Sequence, residues 1–310
     1  MKKNINANRK IAVLLAAYNG LDFIGDQINS IVCQTGVDVT IFISVDRSSD
    51  GTHEWCLALA RAHSNILVLP YGERFGGAAQ NFFRLIRDVD FSSFDYVAFS
   101  DQDDLWLSEK LARALTKIHE TSADAYSSSV IAFWPDGAKK LIQKAQPQRA
   151  WDYLFEAAGP GCTYVINISL ATKIKAIIMS DWVEINKIAL HDWFCYAYAR
   201  ANGFTWCIDE WPSVLYRQHA SNQVGANSGF TAFRYRIRKV INGWGIKQSQ
   251  LIANLVSTDG GEFVRTLKNI DRYGFLKLAF KARNCRRKSS EQALFFIACV
   301  FLAAVGNQRV

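Results

Sequence analysis

The sequence predicts an α/β protein with a doubly wound, mainly parallel sheet, a mixed second half and a helical C-terminal segment. Apolar runs of strand length alternate with helical segments four times before residue 105. Several of these runs are continuously apolar, as expected for a sheet covered on both faces. Three of them end in polar side chains, and ligands of such sheets bind outside the C-terminal ends of the strands.

The elements follow in order along the chain. Strands are predicted in the first half at 11–17, 39–45, 66–69 and 95–100. The helix after the first strand has an apolar face made by Phe23, Ile24, Ile28, Ile31 and Val32. Two further helices are predicted over 51–62 and 77–89. In the second half, we predict strands at 130–135, 163–168 and 214–218 and a helix over 191–200.

These elements divide into a catalytic unit over residues 1–229 and a basic helical segment over 230–310. Seven scattered cysteines form no CxxC pair and no zinc-binding spacing, which predicts reduced thiols in the cytoplasm. The first ten residues are polar, so no secretory signal is expected there.

Charge is unevenly distributed along the chain. Residues 1–229 carry 21 Lys and Arg against 24 Asp and Glu, whereas residues 230–310 carry 15 against 4. Within this basic part, a basic amphipathic helix is predicted around 233–244, and a basic cluster at 281–288 precedes an apolar run at 293–305. That run is shorter than the ~20 residues of a standard span. It predicts either in-plane contact with an anionic membrane surface or a helix packed on the protein.

An acidic motif, Asp101-Gln102-Asp103-Asp104, directly follows the fourth predicted strand. Three carboxylates within four residues repel one another, and a cation would compensate them. Carboxylate oxygens are hard ligands that suit Mg²⁺ or Mn²⁺, the ions that commonly hold substrate phosphates. The alternative is a solvated cluster that caps a helix starting near Leu105.

Two other strand ends carry candidate binding residues. Tyr18-Asn19-Gly20 follows the first strand, and Asp46 follows the second. An aromatic ring and an amide suit a planar base, and a carboxylate suits a base imide or ribose hydroxyls. The alternatives are a plain turn at the first strand end and, at the second, a turn with a helix N-cap at Ser49 or Asp50.

In combination these motifs resemble the nucleotide-sugar-binding half of family-2 glycosyltransferases, which have the GT-A fold. The resemblance places this half at about 10–107 and an acceptor half at about 125–225. It implies that Asp101, Gln102, Tyr18, Asn19 and Asp46 bind the donor, and that Asp103 holds the metal. One departure is Arg47, where many relatives carry a second acidic residue.

The second half contains further matches. His191-Asp192-Trp193 resembles the family's acidic-aromatic motif, which implies Asp192 as the general base and Trp193 on the acceptor side. The alternative is a helix cap at Asp192 with a core tryptophan. The segment around Gly161 resembles the loop before the acceptor-side strand, although a Gly-Pro turn fits equally. The segment from Tyr216 to Asn222 resembles bacterial rhamnosyltransferases and implies His219 as a second metal ligand.

The resemblance implies an inverting, metal-dependent enzyme that uses Mg²⁺ or Mn²⁺ and transfers rhamnose from dTDP-rhamnose. The expected acceptor is a bacterial surface glycan of the O-antigen or capsule type, free or lipid-linked, at the inner face of the cell membrane. A UDP-hexose-dependent enzyme of the same fold is the alternative. A sugar-phosphate nucleotidylyltransferase is less favoured because residues 16–20 lack a Gly-rich basic loop. No nucleic-acid partner is expected, because the basic tail is also apolar.

Overall fold

The computed structural model describes residues 9–219, 243–256 and 261–305. The chain divides into two compact units. The first contains residues 1–145, 159–192 and 204–224; the second contains 146–158, 193–203 and 225–310. The second unit therefore takes up two earlier segments of the chain as well as its C-terminal part.

One mixed sheet forms the centre of the first unit. Its strands are β1 (Lys10–Ala17), β2 (Asp38–Val45), β3 (Ile66–Val68), β4 (Tyr96–Asp101), β5 (Leu105–Trp106), β6 (Ala125–Phe133), β7 (Lys139–Ile142), β8 (Val165–Asn167) and β9 (Trp206–Arg217). Their order is β3-β2-β1-β4-β8-β6-β9-β5, and β7 pairs with β6. The pairs β1/β2, β1/β4 and β2/β3 are parallel, whereas β8 runs antiparallel to both β4 and β6. The α/β class with a mainly parallel first half and a mixed second half is confirmed.

Seven helices begin within the first unit. They are α1 (Ile24–Val32), α2 (Thr52–Ala62), α3 (Ala78–Asp88), α4 (Lys110–Thr121), α5 (Ile168–Ser180), α6 (Trp182–Ile185) and α7 (His191–Ala201). The strand β1 is buried from Ile11 onward, which explains its continuous apolar run. The buried face of α1 includes Ile24, Ile28 and Ile31, as predicted, whereas Val32, which was assigned to the same face, is 48% exposed.

Four local predictions need correction. The strand predicted at 130–135 is the end of the longer β6, which begins at Ala125 and stops at Phe133. Leu105 and Trp106 form a short strand that pairs with residues 214–215 of β9, and the following helix begins only at Lys110. The predicted strand at 163–168 is limited to β8, because a 3₁₀ turn occupies Gly161–Thr163. The strand predicted at 214–218 is the end of the longer β9. Its pairing with β6 shifts register between Ser128 and Val130, opposite the β9 segment that contains Pro212.

The described part of the second unit is helical. It contains a 3₁₀ turn at Asp152–Leu154 and the helices α8 (Trp244–Val256), α9 (Gly261–Lys268), α10 (Arg272–Phe280), α11 (Ala282–Cys285) and α12 (Ser289–Val305). Asp152 is fully buried between Arg200, at 3.2 Å, and Arg287, at 3.3 Å. The amphipathic helix predicted around 233–244 lies almost wholly outside the described residues. Over the described ranges, the helices are too short or too polar to cross a membrane.

Candidate active site

The sheet order brings three strand ends together. β2, β1 and β4 are parallel neighbours, so their C-terminal ends lie at one edge of the sheet. Tyr18, Asp46 and the acidic motif at 101–104 follow these ends. Open α/β sheets bind ligands at such an edge, where the strand order changes direction.

Gln102 ties the acidic motif to the end of β1. The Tyr18 N–H donates to Gln102 Oε1 at 2.6 Å, and Gln102 Nε2 donates to the Tyr18 carbonyl at 2.8 Å. A Cβ at Gly20 would lie 2.2 Å from Gln102 Oε1, so this position has no room for a side chain. The phenol ring of Tyr18 is 49% exposed and is available to stack on a planar ligand.

Asn19 ties the end of β1 to the loop after β2. It has a φ of 44°, in the left-handed region that asparagine tolerates better than most residues. Its N–H donates to Ser48 Oγ at 3.0 Å, and its Oδ1 accepts from the Ser49 N–H at 2.9 Å. The side chain that the sequence predicts to bind the donor therefore also fixes the shape of the loop.

Asp46 orders a turn that the sequence did not single out. Its carboxylate accepts from the N–H groups of Arg47, Phe75 and Gly76 at 2.7, 2.9 and 3.0 Å. The residue is 4% exposed. Gly76 has a φ of 83°, which favours glycine. These bonds hold the carboxylate at the rim of the strand ends, and its contact with a base or ribose stays a prediction.

The carboxylates of the acidic motif have different surroundings. Burial, reinforced by the charges of Asp103 and Asp192, raises the pKa of Asp101 to about 8. Asp104 is fully buried, and its Oδ1 accepts from the Arg217 N–H at 3.1 Å. Burial, followed by the neighbouring carboxylates, raises the pKa of Asp104 well above its usual range. Crowding therefore disfavours the charged forms, and a bound cation would restore them.

Asp104 also has a buried basic neighbour, Lys110. The Lys110 side chain is fully buried, and its Nζ lies 3.1 Å from the centroid of the Trp106 ring. Burial lowers the pKa of Lys110 to about 7, although Cys162 and Asp104 act in the opposite direction. Asp104 and Lys110 thus belong to the packed interior behind the acidic motif. Residue spacing gave no signal for Lys110.

Asp103 and His219 are in direct contact. His219 Nε2 and Asp103 Oδ2 are 2.7 Å apart, and both side chains are about four-fifths or more buried. The His219 ring stacks on Phe23 at a centroid distance of 4.8 Å. Arg217 also binds the backbone of the acidic motif, since its Nε donates to the Asp103 carbonyl at 2.9 Å. The end of β9 is therefore anchored beside the acidic motif.

The residues around the acidic motif fit a hard divalent cation. Asp103 and His219 supply a carboxylate oxygen and an imidazole nitrogen in contact, and the charge of Asp103 acts on the Asp101 carboxylate two positions earlier in the chain. Asp101, Asp104 and Cys162 also place their ligand atoms within 4.8 Å of one another. Burial keeps the Cys162 thiol protonated by raising its pKa, which makes it unsuited to Mg²⁺ or Mn²⁺.

Asp192 lies in the first turn of α7 and is close to Gly161. A Cβ at Gly161 would lie 3.2 Å from the Asp192 Cβ and 2.7 Å from His191 Nε2. His191 stacks on Phe82 at a centroid distance of 3.8 Å, and burial lowers its pKa to about 3. The charge of Asp192 contributes to the raised pKa of Asp101, so the predicted base lies within electrostatic range of the acidic motif.

Trp193 is buried. It is 5% exposed, and its Nε1 donates to the Tyr153 carbonyl at 2.9 Å. These contacts favour the packing alternative, and a role for Trp193 on the acceptor side stays a prediction.

Comparison with known proteins identifies the family. The family model for glycosyl transferase family 2 matches residues 12–163. Over 287 residues the chain is 42% identical to the dTDP-rhamnosyl transferase RfbG of Shigella flexneri, with 92% of this chain and 99% of the relative covered. The chain belongs to glycosyl transferase family 2. The polar residues at the strand ends of this glycosyltransferase and its acidic motif are the features from which the family was predicted.

One further relative and one solved structure are similar to this family-2 enzyme. It is 26% identical over 101 residues to the UDP-Glc:alpha-D-GlcNAc-diphosphoundecaprenol beta-1,3-glucosyltransferase WfgD of Escherichia coli, covering 33% of this chain and 38% of the relative. The crystal structure of S. aureus TarS in complex with UDP superposes with a TM-score of 0.56 at 15% identity, covering 95% of this chain and 80% of that one. This likeness confirms the GT-A fold.

Proposed function

We propose that this glycosyltransferase moves rhamnose from dTDP-rhamnose to a hydroxyl of a bacterial surface glycan, with inversion at the anomeric carbon. The assignment of dTDP-rhamnose as the donor rests on the 42% identity to a dTDP-rhamnosyl transferase over nearly the whole of both chains. The strand-end site supports the same function, since it combines an exposed aromatic ring, fixed carboxylates and a candidate general base.

Tyr18 is proposed to stack on the thymine base, because its ring is half exposed while its backbone is fixed by Gln102. Asn19 and Asp46 are proposed to complete the nucleoside site. Their bonds to neighbouring loops hold these side chains in place before the donor arrives, which lowers the ordering cost of binding.

Asp103 and His219, with Asp101 beside them, would hold a Mg²⁺ or Mn²⁺, which when bound neutralises charge on the leaving diphosphate. The two side chains already touch, so little reorganisation is required of the protein. Asp104 is assigned to the support of this site, because it is buried and accepts from the Arg217 backbone.

Asp192 is proposed as the general base. It takes the proton of the acceptor hydroxyl while that oxygen forms a bond to the anomeric carbon. The bond between that carbon and the diphosphate oxygen breaks, and its electron pair leaves with dTDP. Attack from the face opposite the leaving group inverts the configuration, and no covalent enzyme intermediate is needed.

A donor screen tests the transfer activity. Release of nucleoside diphosphate is measured with dTDP-rhamnose, UDP-hexoses and GDP-sugars in the presence of a lipid-linked glycan acceptor. We expect dTDP release to dominate. Preferred turnover of a UDP-hexose would support the alternative donor and refute the dTDP-rhamnose assignment, while leaving the fold and family unaffected.

Two variants separate the proposed roles. Asp192→Asn is expected to keep donor affinity within a few-fold and to lower turnover by roughly 10²–10⁴. Asp103→Ala and metal chelation are both expected to abolish turnover, and added Mn²⁺ should rescue only the chelated wild-type enzyme. Asp38→Asn, an exposed carboxylate at the start of β2, is the matched control and should keep full activity. Full turnover in chelator would refute the metal requirement.

A further inference from the structure

The second unit exposes an apolar face on two helices. The most exposed members are Phe280 at 82%, Tyr273 at 65%, Ile297 at 62% and Leu294 at 57%. We call this set, completed by Leu276 and Phe301, the α10/α12 apolar face. Exposed apolar area of this kind on a folded chain marks a surface that contacts something else.

Residue spacing shows that this face is distinct from the helix sides that pack inward. Exposed apolar positions recur three and four residues apart, at 273, 276 and 280 on α10 and at 294, 297 and 301 on α12, where Phe296, Val300 and Val305 are exposed as well. The opposite sides are buried through Phe275 and Leu278 on α10 and through Cys299 and Leu302 on α12. Each helix therefore has its core contacts and a second apolar stripe in addition.

Basic side chains surround this face. Residues 261–305 contain nine Lys and Arg against three Asp and Glu. Exposed members of this set are Arg265, Arg272, Lys277, Lys281, Arg283 and Lys288. Lys277 Nζ lies 5.1 Å from the centroid of the Tyr273 ring and 3.3 Å from Glu262 Oε1, so a lysine that is paired with an exposed carboxylate lies beside the apolar stripe. Long basic side chains in this position can extend their charges past an apolar contact surface.

We infer that the α10/α12 apolar face binds in the plane of an anionic lipid surface. Apolar side chains of this size insert at the boundary between headgroups and acyl chains, while Lys and Arg contact the anionic headgroups. α12 has 17 residues and, like the other described helices, does not meet the length and hydropathy needed for a span. The charge pattern favours lipid over a second copy of the chain, because a copy would bring the same basic residues into contact.

The inference is independent of the transfer reaction, and sedimentation of the full chain with vesicles tests it. We expect binding to vesicles of phosphatidylcholine and phosphatidylglycerol, weak binding to phosphatidylcholine alone, and release by high salt. Phe280→Ser with Ile297→Ser should lower the partition coefficient by roughly tenfold or more. Lys281→Gln with Lys288→Gln should lower it by about fivefold for each lysine.

Met179→Ser with Val183→Ser is the matched control, because these side chains are 59% and 71% exposed on helices of the first unit. This double variant should bind vesicles like the wild type. Circular dichroism and thermal melting verify that every variant is folded. Failure of the full chain to bind anionic vesicles at low salt would overturn the inference, as would wild-type binding by Phe280→Ser with Ile297→Ser. A dimer in ultracentrifugation that this variant dissociates, without vesicle binding, would assign the face to a second copy.

Discussion

Gly161 offers a test of the active-site geometry that does not alter any proposed chemical group. A methyl group at this position would lie 2.7 Å from His191 Nε2 and 3.2 Å from the Asp192 Cβ. Ordinary contact begins near 3.4 Å, so the imidazole must retreat by about 0.7 Å, the difference between 3.4 and 2.7, and Asp192 by about 0.2 Å. The ring is stacked on Phe82 at 3.8 Å and is buried, which leaves it little room to move.

We therefore expect Gly161→Ala to displace the first turn of α7 and the carboxylate of Asp192 with it. Overpacking of this size costs about 1–3 kcal/mol of folding stability. A misplacement of a few tenths of an ångström to 1 Å at a reacting group lowers kcat by roughly 10–100-fold. The KM for the donor should change little, because Tyr18 and Asp103 are untouched.

The assay measures kcat, donor KM and thermal midpoint for Gly161→Ala beside Gly245→Ala. Gly245 has no atom within 4 Å of its Cβ position, so alanine there controls for the loss of glycine itself. A Gly161→Ala enzyme with wild-type kcat would refute the placement of Asp192 as the base. An unchanged kcat with a large rise in donor KM would instead indicate that the region around Gly161 contributes to donor binding.

Three further outcomes are expected. Gln102→Leu removes both bonds to the Tyr18 backbone, about 2 kcal/mol in all, and should raise donor KM roughly 30-fold; an unchanged KM would contradict the bracing role. His191, with a pKa of about 3 when folded, takes up its proton only on unfolding, so below pH 6.5 it should cost about 1.4 kcal/mol of stability per pH unit. Urea unfolding at pH 7.5 and 5.5 should show this loss in the wild type and a smaller one in His191→Gln. Lys110→Met should raise the unfolding free energy at neutral pH by about 1 kcal/mol or more, because it removes a buried amine whose charged form burial disfavours, whereas the half-buried control Lys117→Met should lower it only slightly through the lost ion pair with Glu120.

The first half of the fold could be predicted because its signals are local. Continuous apolar runs such as Ile11–Ala17 can only be satisfied by burial on both faces, and the observed strand β1 begins within one residue of the predicted start. The polar residues at the strand ends then follow the general rule for ligand binding in parallel sheets. The fold class and this rule together were enough to select the strand ends as the candidate site.

Elements that depend on distant partners were not predictable in the same way. Leu105 and Trp106 have a helix-like sequence. They form a strand because their backbone pairs with residues 214–215 of β9, more than a hundred positions later in the chain. The start of β9 was missed because Pro212 interrupts the strand pattern, and the register shift against β6 falls opposite the segment that contains it. The contact of Gly161 with His191 likewise depends on packing between segments that no spacing reveals.

The strand-end residues predicted to bind the donor also connect the loops to one another. Gln102 pairs with the Tyr18 backbone, Asn19 Oδ1 accepts from Ser49, and Asp46 accepts from Gly76. Substituting any of them changes the shape of the site along with its chemistry, so a loss of donor affinity alone does not identify a direct contact. Stability separates the two roles: a residue that only braces a loop lowers the thermal midpoint of the unliganded enzyme, whereas one that only contacts the nucleotide lowers the stabilisation that the donor adds.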